Sequence, residues 1–163
     1  MAFTFSEILL WLFVIDLSIA SGAGLYEHRI ILPQWFSGSL KTGLRVNREA
    51  MRTTDTGRRF WAYVTTIPLT LLALASLAIA PHAQGAVKLW WLTATVLVLL
   101  ERVATFSFFI PRALTLMRDE ILPDARTATM ASLWIRLNWL RLAFGLAGWL
   151  AALKALLVLA AGR

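Results

Sequence analysis

No cysteine occurs among the 163 residues of this chain. A disulfide framework, thiol redox chemistry and thiolate ligation of a metal or haem are therefore excluded. Charged residues are also scarce, at 15% of the chain, and acids are fewer than bases, with 9 against 16. The scarcity of charge leaves long stretches of sequence that are almost entirely apolar.

Four of these apolar stretches are long enough to cross a bilayer, which takes roughly 20 residues in an α-helix. Mean hydropathy is +0.69, and the four stretches with their connections leave no room for a soluble domain. The runs are continuous, without the period-2 alternation of barrel strands. The sequence predicts one all-α domain over residues 1–163, a transmembrane four-helix bundle. Its spans are Ile8–Arg29, Trp61–Ala80, Leu89–Ile110 and Leu133–Ala160.

The basic residues predict the orientation of the bundle. They concentrate in the first and third connections, whereas the second carries only Lys88. By the positive-inside rule those two connections are cytoplasmic and both termini lie outside. We expect a multi-pass protein of the bacterial inner membrane whose basic residues touch anionic lipids rather than nucleic acid. The basic residues are Arg29, Lys41, Arg45, Arg48, Arg52, Arg58 and Arg59 in the first connection, and Arg112, Arg118 and Arg126 in the third.

Several local patterns refine this topology. The N-terminus lacks a basic region and a cleavage site, so the first span is expected to remain in the protein. The first connection is long, and its run Arg45–Arg59 predicts a helix lying along the membrane interface. Trp90 and Trp91 are expected to mark the outer end of the third span. Pro111 is expected to end or kink that span, and the stretch Arg112–Glu120 to continue into the cytoplasm as a helix.

Polar residues inside the spans fall at helical spacing on one side of the membrane. Asp16 and Glu27 share a stripe of the first span with Ala20 and Ala23, because they are separated by steps of four, three and four. The fourth span carries a stripe that is polar toward the cytoplasm and small toward the outside. Its members are Trp134, Asn138, Arg141, Gly145, Gly148 and Ala152.

Buried charges in a bilayer cost about 2.5–3.5 kcal/mol each on insertion scales, so these side chains should be paired or hydrated. We expect Glu101 to pair with Asn138 or Arg141, and Glu27 to pair with Arg102 or Arg141. The sequence thus predicts a shared pocket in the cytoplasmic half. The alternative is that the ion pairs only hold the helices together.

Several single residues allow more than one interpretation. A metal site of Glu27, His28 and Glu101 has suitable ligand types, but adjacent residues point about 100° apart on a helix, and we predict no metal. His28 is interpreted as a general base or as an interfacial residue without chemistry. Asp16 is interpreted as a hydrogen-bonding residue or a proton relay. His82 lies on the outer turn, so the two histidines cannot ligate one haem.

Three strings resemble a known group when taken together. They are Ser21–His28 leading into Leu32–Trp35, then Thr105–Pro111, then Trp134–Arg141. The chain resembles the DUF1772 or anthrone-oxygenase-like family of small four-span membrane proteins. This resemblance implies a four-helix bundle and, by analogy with a few fungal relatives, oxidation of an anthrone by dioxygen without metal or flavin.

If the resemblance extends to chemistry, His28 or Glu27 removes a proton from the substrate and basic or amide side chains stabilise the resulting oxyanion. Trp35 and Trp134 would then flank the flat aromatic ring of the substrate. The predicted catalytic residues are Glu27, His28, Glu101 and Arg141, and the predicted substrate-binding residues are Trp35, Tyr63, Arg102, Trp134 and Asn138.

The predicted function is binding of a lipophilic aromatic or quinone-like molecule. If the protein is an enzyme, the predicted activity is that of a cofactor-free oxygenase. A homo-oligomer is also consistent with the sequence. Two different functions remain open. Asp16 and Glu27 on one stripe suit a proton-coupled small-molecule transporter, and a bundle without a cavity suits an accessory or scaffold protein.

Overall fold

A computed structural model describes residues 4–39, 43–118 and 124–162. Two residues of the predicted connections, Lys41 and Glu120, lie outside these described residues. The described residues form five helices and one β-hairpin. They are α1 (Phe5–Trp35), β1 (Phe36–Ser39), β2 (Gly43–Val46), α2 (Arg48–Thr54), α3 (Gly57–His82), α4 (Gly85–Arg118) and α5 (Asp124–Ala161).

The four long helices confirm the predicted all-α membrane bundle, since each is long and apolar enough to span a membrane. All four extend beyond their predicted limits. The chain stays helical beyond Pro111 as far as Arg118, which confirms, over the described residues, the expectation that the stretch after this proline continues as a helix. We call the end of the bundle that carries the first and third connections the basic end, and the other the opposite end.

Local sequence signals account for where the helices begin. Thr4 and Glu7 form a capping box at the start of α1, in which the Thr4 N–H donates to Glu7 Oε2 at 2.8 Å and the Glu7 N–H to Thr4 Oγ1 at 3.4 Å. This T-x-x-E pattern satisfies two donors that a helix start leaves unpaired. Asn47 caps α2 in a similar way, accepting from the Ala50 N–H at 3.0 Å.

Three of the long helices contain a π-helical segment at the basic end, and each segment ends two residues before a proline. Proline lacks an N–H and its ring clashes with the carbonyl four residues earlier. The residue before each proline donates instead to the carbonyl five residues earlier, as Leu32 does to Glu27 in α1. The helices therefore pass their prolines without ending. The segments are Glu27–Ile31, Gly57–Thr66 and Thr105–Phe109, and the prolines are Pro33, Pro68 and Pro111.

Two apolar clusters form the core, and a layer of buried polar side chains lies between them. The cluster toward the opposite end includes Phe13, Leu17 and Trp91, and the one at the basic end includes Trp35 and Trp134. Trp91 is only 1% exposed, so it belongs to the core and does not face the lipid. The polar layer consists of Glu27, Thr65, Glu101, Arg102, Thr105 and Asn138 together with the half-buried Arg141.

The first connection folds against the basic end as an antiparallel hairpin followed by α2. The predicted interfacial helix is thus shorter than the run Arg45–Arg59, and its N-terminal part is a strand. Among the hydrogen bonds that hold the connection, Trp35 Nε1 donates to Thr54 Oγ1 at 2.8 Å, and Arg52 Nε donates to the Met117 carbonyl at 3.0 Å. This connection places Met51 in the apolar cluster at the basic end.

Candidate functional site

Glu27 is the best-connected side chain of the polar layer. Its Oε1 accepts hydrogen bonds from Trp61 Nε1 at 2.7 Å and from Thr56 Oγ1 at 3.1 Å. Its Oε2 lies 3.7 Å from Arg141 Nη2. The residue is 5% exposed, so these partners replace the water that a carboxylate otherwise requires. The prediction that Glu27 pairs with Arg102 or Arg141 is confirmed, with Arg141 as its partner.

Arg141 also lies against two aromatic rings. Its guanidinium carbon is 4.9 Å from the ring centroid of Phe109 and 5.8 Å from that of Trp61. Cations at this distance from an aromatic face are attracted by the ring quadrupole. Arg141 therefore joins α5 to α1, α3 and α4 at one point of the bundle.

Glu101 and Arg102 form a second ion pair within α4. Thr105 Oγ1 donates to Glu101 Oε1 at 2.9 Å. The expected pairing of Glu101 with Asn138 or Arg141 is wrong, because its adjacent neighbour and the next turn of its own helix satisfy the carboxylate. Arg102 Nη1 is buried and has no hydrogen-bond partner among the described residues.

A cavity of about 490 Å³ lies beside the polar layer at the basic end. This volume falls within the range typical of small-molecule sites. Its polar end is formed by Glu27, Arg102 and Arg141, and its walls are largely apolar. The aromatic side chains on those walls are Trp35, Trp61, Phe106, Phe109 and Trp134.

A second cavity, of about 40 Å³, lies deeper in the bundle and shares Trp61, Arg102 and Arg141 with the first. Gly145 lines it, and a Cβ at that position would meet no atom within 4 Å. Asn138 Oδ1 and Ser21 Oγ are also buried here without a hydrogen-bond partner among the described residues. The volume suits about two or three waters, which such groups could bind.

The structure gathers most of the predicted site residues around these two cavities. Seven of them line one cavity or both, namely Glu27, Trp35, Glu101, Arg102, Trp134, Asn138 and Arg141. His28 and Tyr63 line neither. The His28 ring packs on Trp139, with ring centroids 3.8 Å apart, because one helical step turns it away from Glu27. Tyr63 is 74% exposed on the outer face of α3.

The metal site that was weighed for Glu27, His28 and Glu101 requires these three side chains to converge. Over residues 4–39, 43–118 and 124–162, no three His, Asp or Glu side chains are grouped closely enough to hold a metal ion. The partners of Glu27 are instead the hydrogen-bond donors of Trp61 and Thr56 and the guanidinium of Arg141.

Sequence reasoning missed Trp61 and Thr56 as hydrogen-bond donors to Glu27. Trp61 could have been found from the sequence. A buried indole N–H normally has a hydrogen-bond acceptor, and Trp61 begins the second span at about the depth at which Glu27 ends the first. Thr56 gave no such signal in the sequence, because its contact with Glu27 depends on how the first connection folds.

The chain matches no protein-family model, no curated protein and no solved structure in the three comparisons made.

Proposed function

We propose that the large cavity binds a flat, lipophilic aromatic or quinone-like molecule and that the protein oxidises it with dioxygen without a cofactor. The observation that carries the proposal is a cavity of about 490 Å³ with aromatic walls and a charged end formed by Glu27, Arg102 and Arg141. An aromatic wall suits a flat ring, and the charged end suits one polar oxygen. Membership of the DUF1772 family and an inner-membrane location belong to this proposal and stay predictions.

The charged end supplies both groups that such a reaction needs. Glu27 is a carboxylate on the cavity wall, in position to take a proton from an acidic C–H of an anthrone. The unpartnered Nη1 of Arg102 is a donor for the oxyanion that forms, and preorganised donors of this kind lower the barrier. His28 has no part in this scheme, because it does not line the cavity.

The overall step balances without a further reductant or oxidant. Anthrone loses the two hydrogens of its methylene carbon, one dioxygen molecule is consumed, and the products are anthraquinone and one water. One oxygen atom becomes the new carbonyl and the other becomes water. The predicted stoichiometry is therefore one dioxygen per anthrone.

The test is oxygen uptake and anthraquinone formation by the purified protein in nanodiscs supplied with anthrone. Glu27→Gln should lower kcat by about 100-fold, the usual contribution of a general base. Tyr63→Phe is the matched control, because Tyr63 lies outside the cavity, and it should leave the rate unchanged. Absence of turnover by the wild type over a panel of anthrones and hydroquinones would remove the enzyme proposal, and absence of binding would remove the ligand proposal as well.

The transporter alternative rests on Asp16, which is 7% exposed and has an unpartnered Oδ2 among the described residues. It requires a path between the two ends of the bundle. Toward the opposite end, however, α1, α3, α4 and α5 are packed together by the apolar cluster around Phe13, Leu17 and Trp91. Loss of substrate flux in proteoliposomes on Asp16→Asn would revive this alternative.

A further inference from the structure

We infer that the ligand of the large cavity enters sideways from the bilayer, through an apolar opening between α3 and α4, and is therefore a molecule dissolved in the membrane. The inference rests on the proposed function in that it requires the cavity to bind a ligand. It adds the route of entry and the class of molecule that can use it.

The first support is a set of side chains that belong both to the cavity wall and to the outer surface of the bundle. Ile67 of α3 is 51% exposed, and Phe106 of α4 is 50% exposed. Ile110 and Leu114 continue this edge along α4 at 39% and 37%. A residue that lines a cavity and is also exposed marks a place where the cavity reaches the surface. All four side chains are apolar, so lipid rather than water is their natural neighbour.

The second support is the way in which the two helices are tied. The basic half of α3 is bonded to α1 because Trp61 donates to Glu27, and Thr56, just before the helix, donates to the same carboxylate. The basic half of α4 is bonded to α2 and α5, through the Met117 carbonyl and through Trp134 Nε1 to the Phe109 carbonyl at 3.2 Å. Over the described part of the chain, none of the hydrogen bonds joins these two halves directly. They can therefore stay apart without loss of a polar contact.

The alternative route, through the basic end, is chemically different. Gly57, Asp55 and Arg58 line the cavity there, and Arg58 Nε donates to Asp55 Oδ2 at 2.7 Å. Met51 and Trp35 close part of that end, at 3% and 6% exposed. An apolar ring passing this way must leave the membrane and cross a charged pair, whereas the route between α3 and α4 keeps it in apolar surroundings.

The test measures rates separately from affinity, using 9-anthracenemethanol as the probe and energy transfer from tryptophan as the signal, in nanodiscs. Ile67→Phe and Phe106→Trp narrow the lateral opening. Val103→Trp is the matched control, because Val103 is 65% exposed on the same helix and does not line the cavity. Gly57→Phe narrows the basic end, where a Cβ would meet only Asp55 Oδ1, at 4.0 Å.

We expect the two lateral variants to slow dissociation of the probe by about tenfold while Kd changes by less than about threefold. Val103→Trp and Gly57→Phe should leave the rate unchanged. Slowing by Gly57→Phe without slowing by the lateral variants would overturn the lateral route and leave the proposed function intact. A wild type without saturable binding would instead overturn the proposed function, and this inference with it.

A second measurement does not depend on the bulky variants being folded. Because the chain contains no cysteine, Phe106→Cys and Val103→Cys each provide a single thiol. N-(1-pyrenyl)maleimide dissolved in the lipid should label both. Saturating 9-anthracenemethanol should slow labelling of Phe106→Cys by about tenfold and leave Val103→Cys unaffected. Equal labelling of Phe106→Cys with and without the probe would overturn the inference.

Discussion

The indole of Trp61 connects two helices through one hydrogen bond to a buried carboxylate, Glu27. Hydrogen bonds to charged groups contribute about 1.5–3 kcal/mol. Trp61→Phe keeps an aromatic ring beside Arg141 and removes the N–H, so the free energy of unfolding should fall by about that amount. Titration with SDS, followed by circular dichroism, measures the change.

Trp149 provides the control for this substitution. Its Nε1 is buried without a hydrogen-bond partner among the described residues, so Trp149→Phe removes no hydrogen bond and should cost less. Equal losses for the two variants would mean that the indole of Trp61 acts only through its bulk.

The ion pair of Glu27 and Arg141 is expected to be energetically coupled. Removing one member of a buried pair leaves the other charge uncompensated, at a cost of about 3–5 kcal/mol. Glu27→Gln and Arg141→Gln should each destabilise the protein by about 3 kcal/mol, and the double variant should lose less than the sum. A double-mutant cycle in SDS should give a coupling energy of about 1–3 kcal/mol. Additive losses would show that the 3.7 Å approach reflects proximity alone.

Two glycines of α5, one turn apart, differ in the space around them: Gly148 packs closely on α4, and Gly145 faces open space. A Cβ on Gly148 would lie 3.0 Å from Val98 Cγ2, whereas one on Gly145 would meet nothing within 4 Å. Gly148→Ala should therefore push α5 away from α4 and lower the free energy of unfolding by about 1–3 kcal/mol. Gly145→Ala should raise it by up to about 1 kcal/mol, because alanine favours the helix. Unfolding in SDS distinguishes the two, and the opposite order would contradict the close packing of α5 on α4 at Gly148.

The π-helical segments explain why helical phase was only partly predictable. Counting residues at a regular α-helical step placed Glu27 on an inward stripe and His28 off it, and both placements are confirmed. The same counting placed Glu101 toward Asn138 and Arg141, and all three line the small cavity, but the carboxylate is bonded within its own helix to Arg102 and Thr105. Tyr63, which lies inside the π-helical segment Gly57–Thr66, was expected in the pocket and is 74% exposed instead. The prolines were visible in the sequence, but a proline signals a kink or an end as readily as a π-helical segment. The choice depends on the packing of neighbouring helices.

For the whole molecule, the sequence was most informative where a single strong rule applies. Span number and helical class follow from the length of apolar runs in a bilayer, and the structure has four helices that are long and apolar enough to cross one. Of the aromatic side chains on the walls of the cavity, only Trp35 and Trp134 were predicted, whereas Trp61, Phe106 and Phe109 were not. Met51 in the first connection is an example of a residue whose burial could not be predicted. It lies among charged residues in the sequence, yet it is 3% exposed and lines the cavity.

Orientation in the membrane is the last prediction, and it decides which leaflet the cavity faces. The positive-inside rule places the basic end in the cytoplasm. Thr53 in α2 and Gln84 in the turn before α4 are both exposed and lie at the two ends of the bundle. In intact bacterial spheroplasts, a membrane-impermeant maleimide should label Gln84→Cys at once and Thr53→Cys only after permeabilisation. Each variant carries the only thiol in the chain, so labelling reports one position. Labelling of Thr53→Cys in intact spheroplasts would reverse the topology and place the cavity, with its lateral opening, in the outer leaflet.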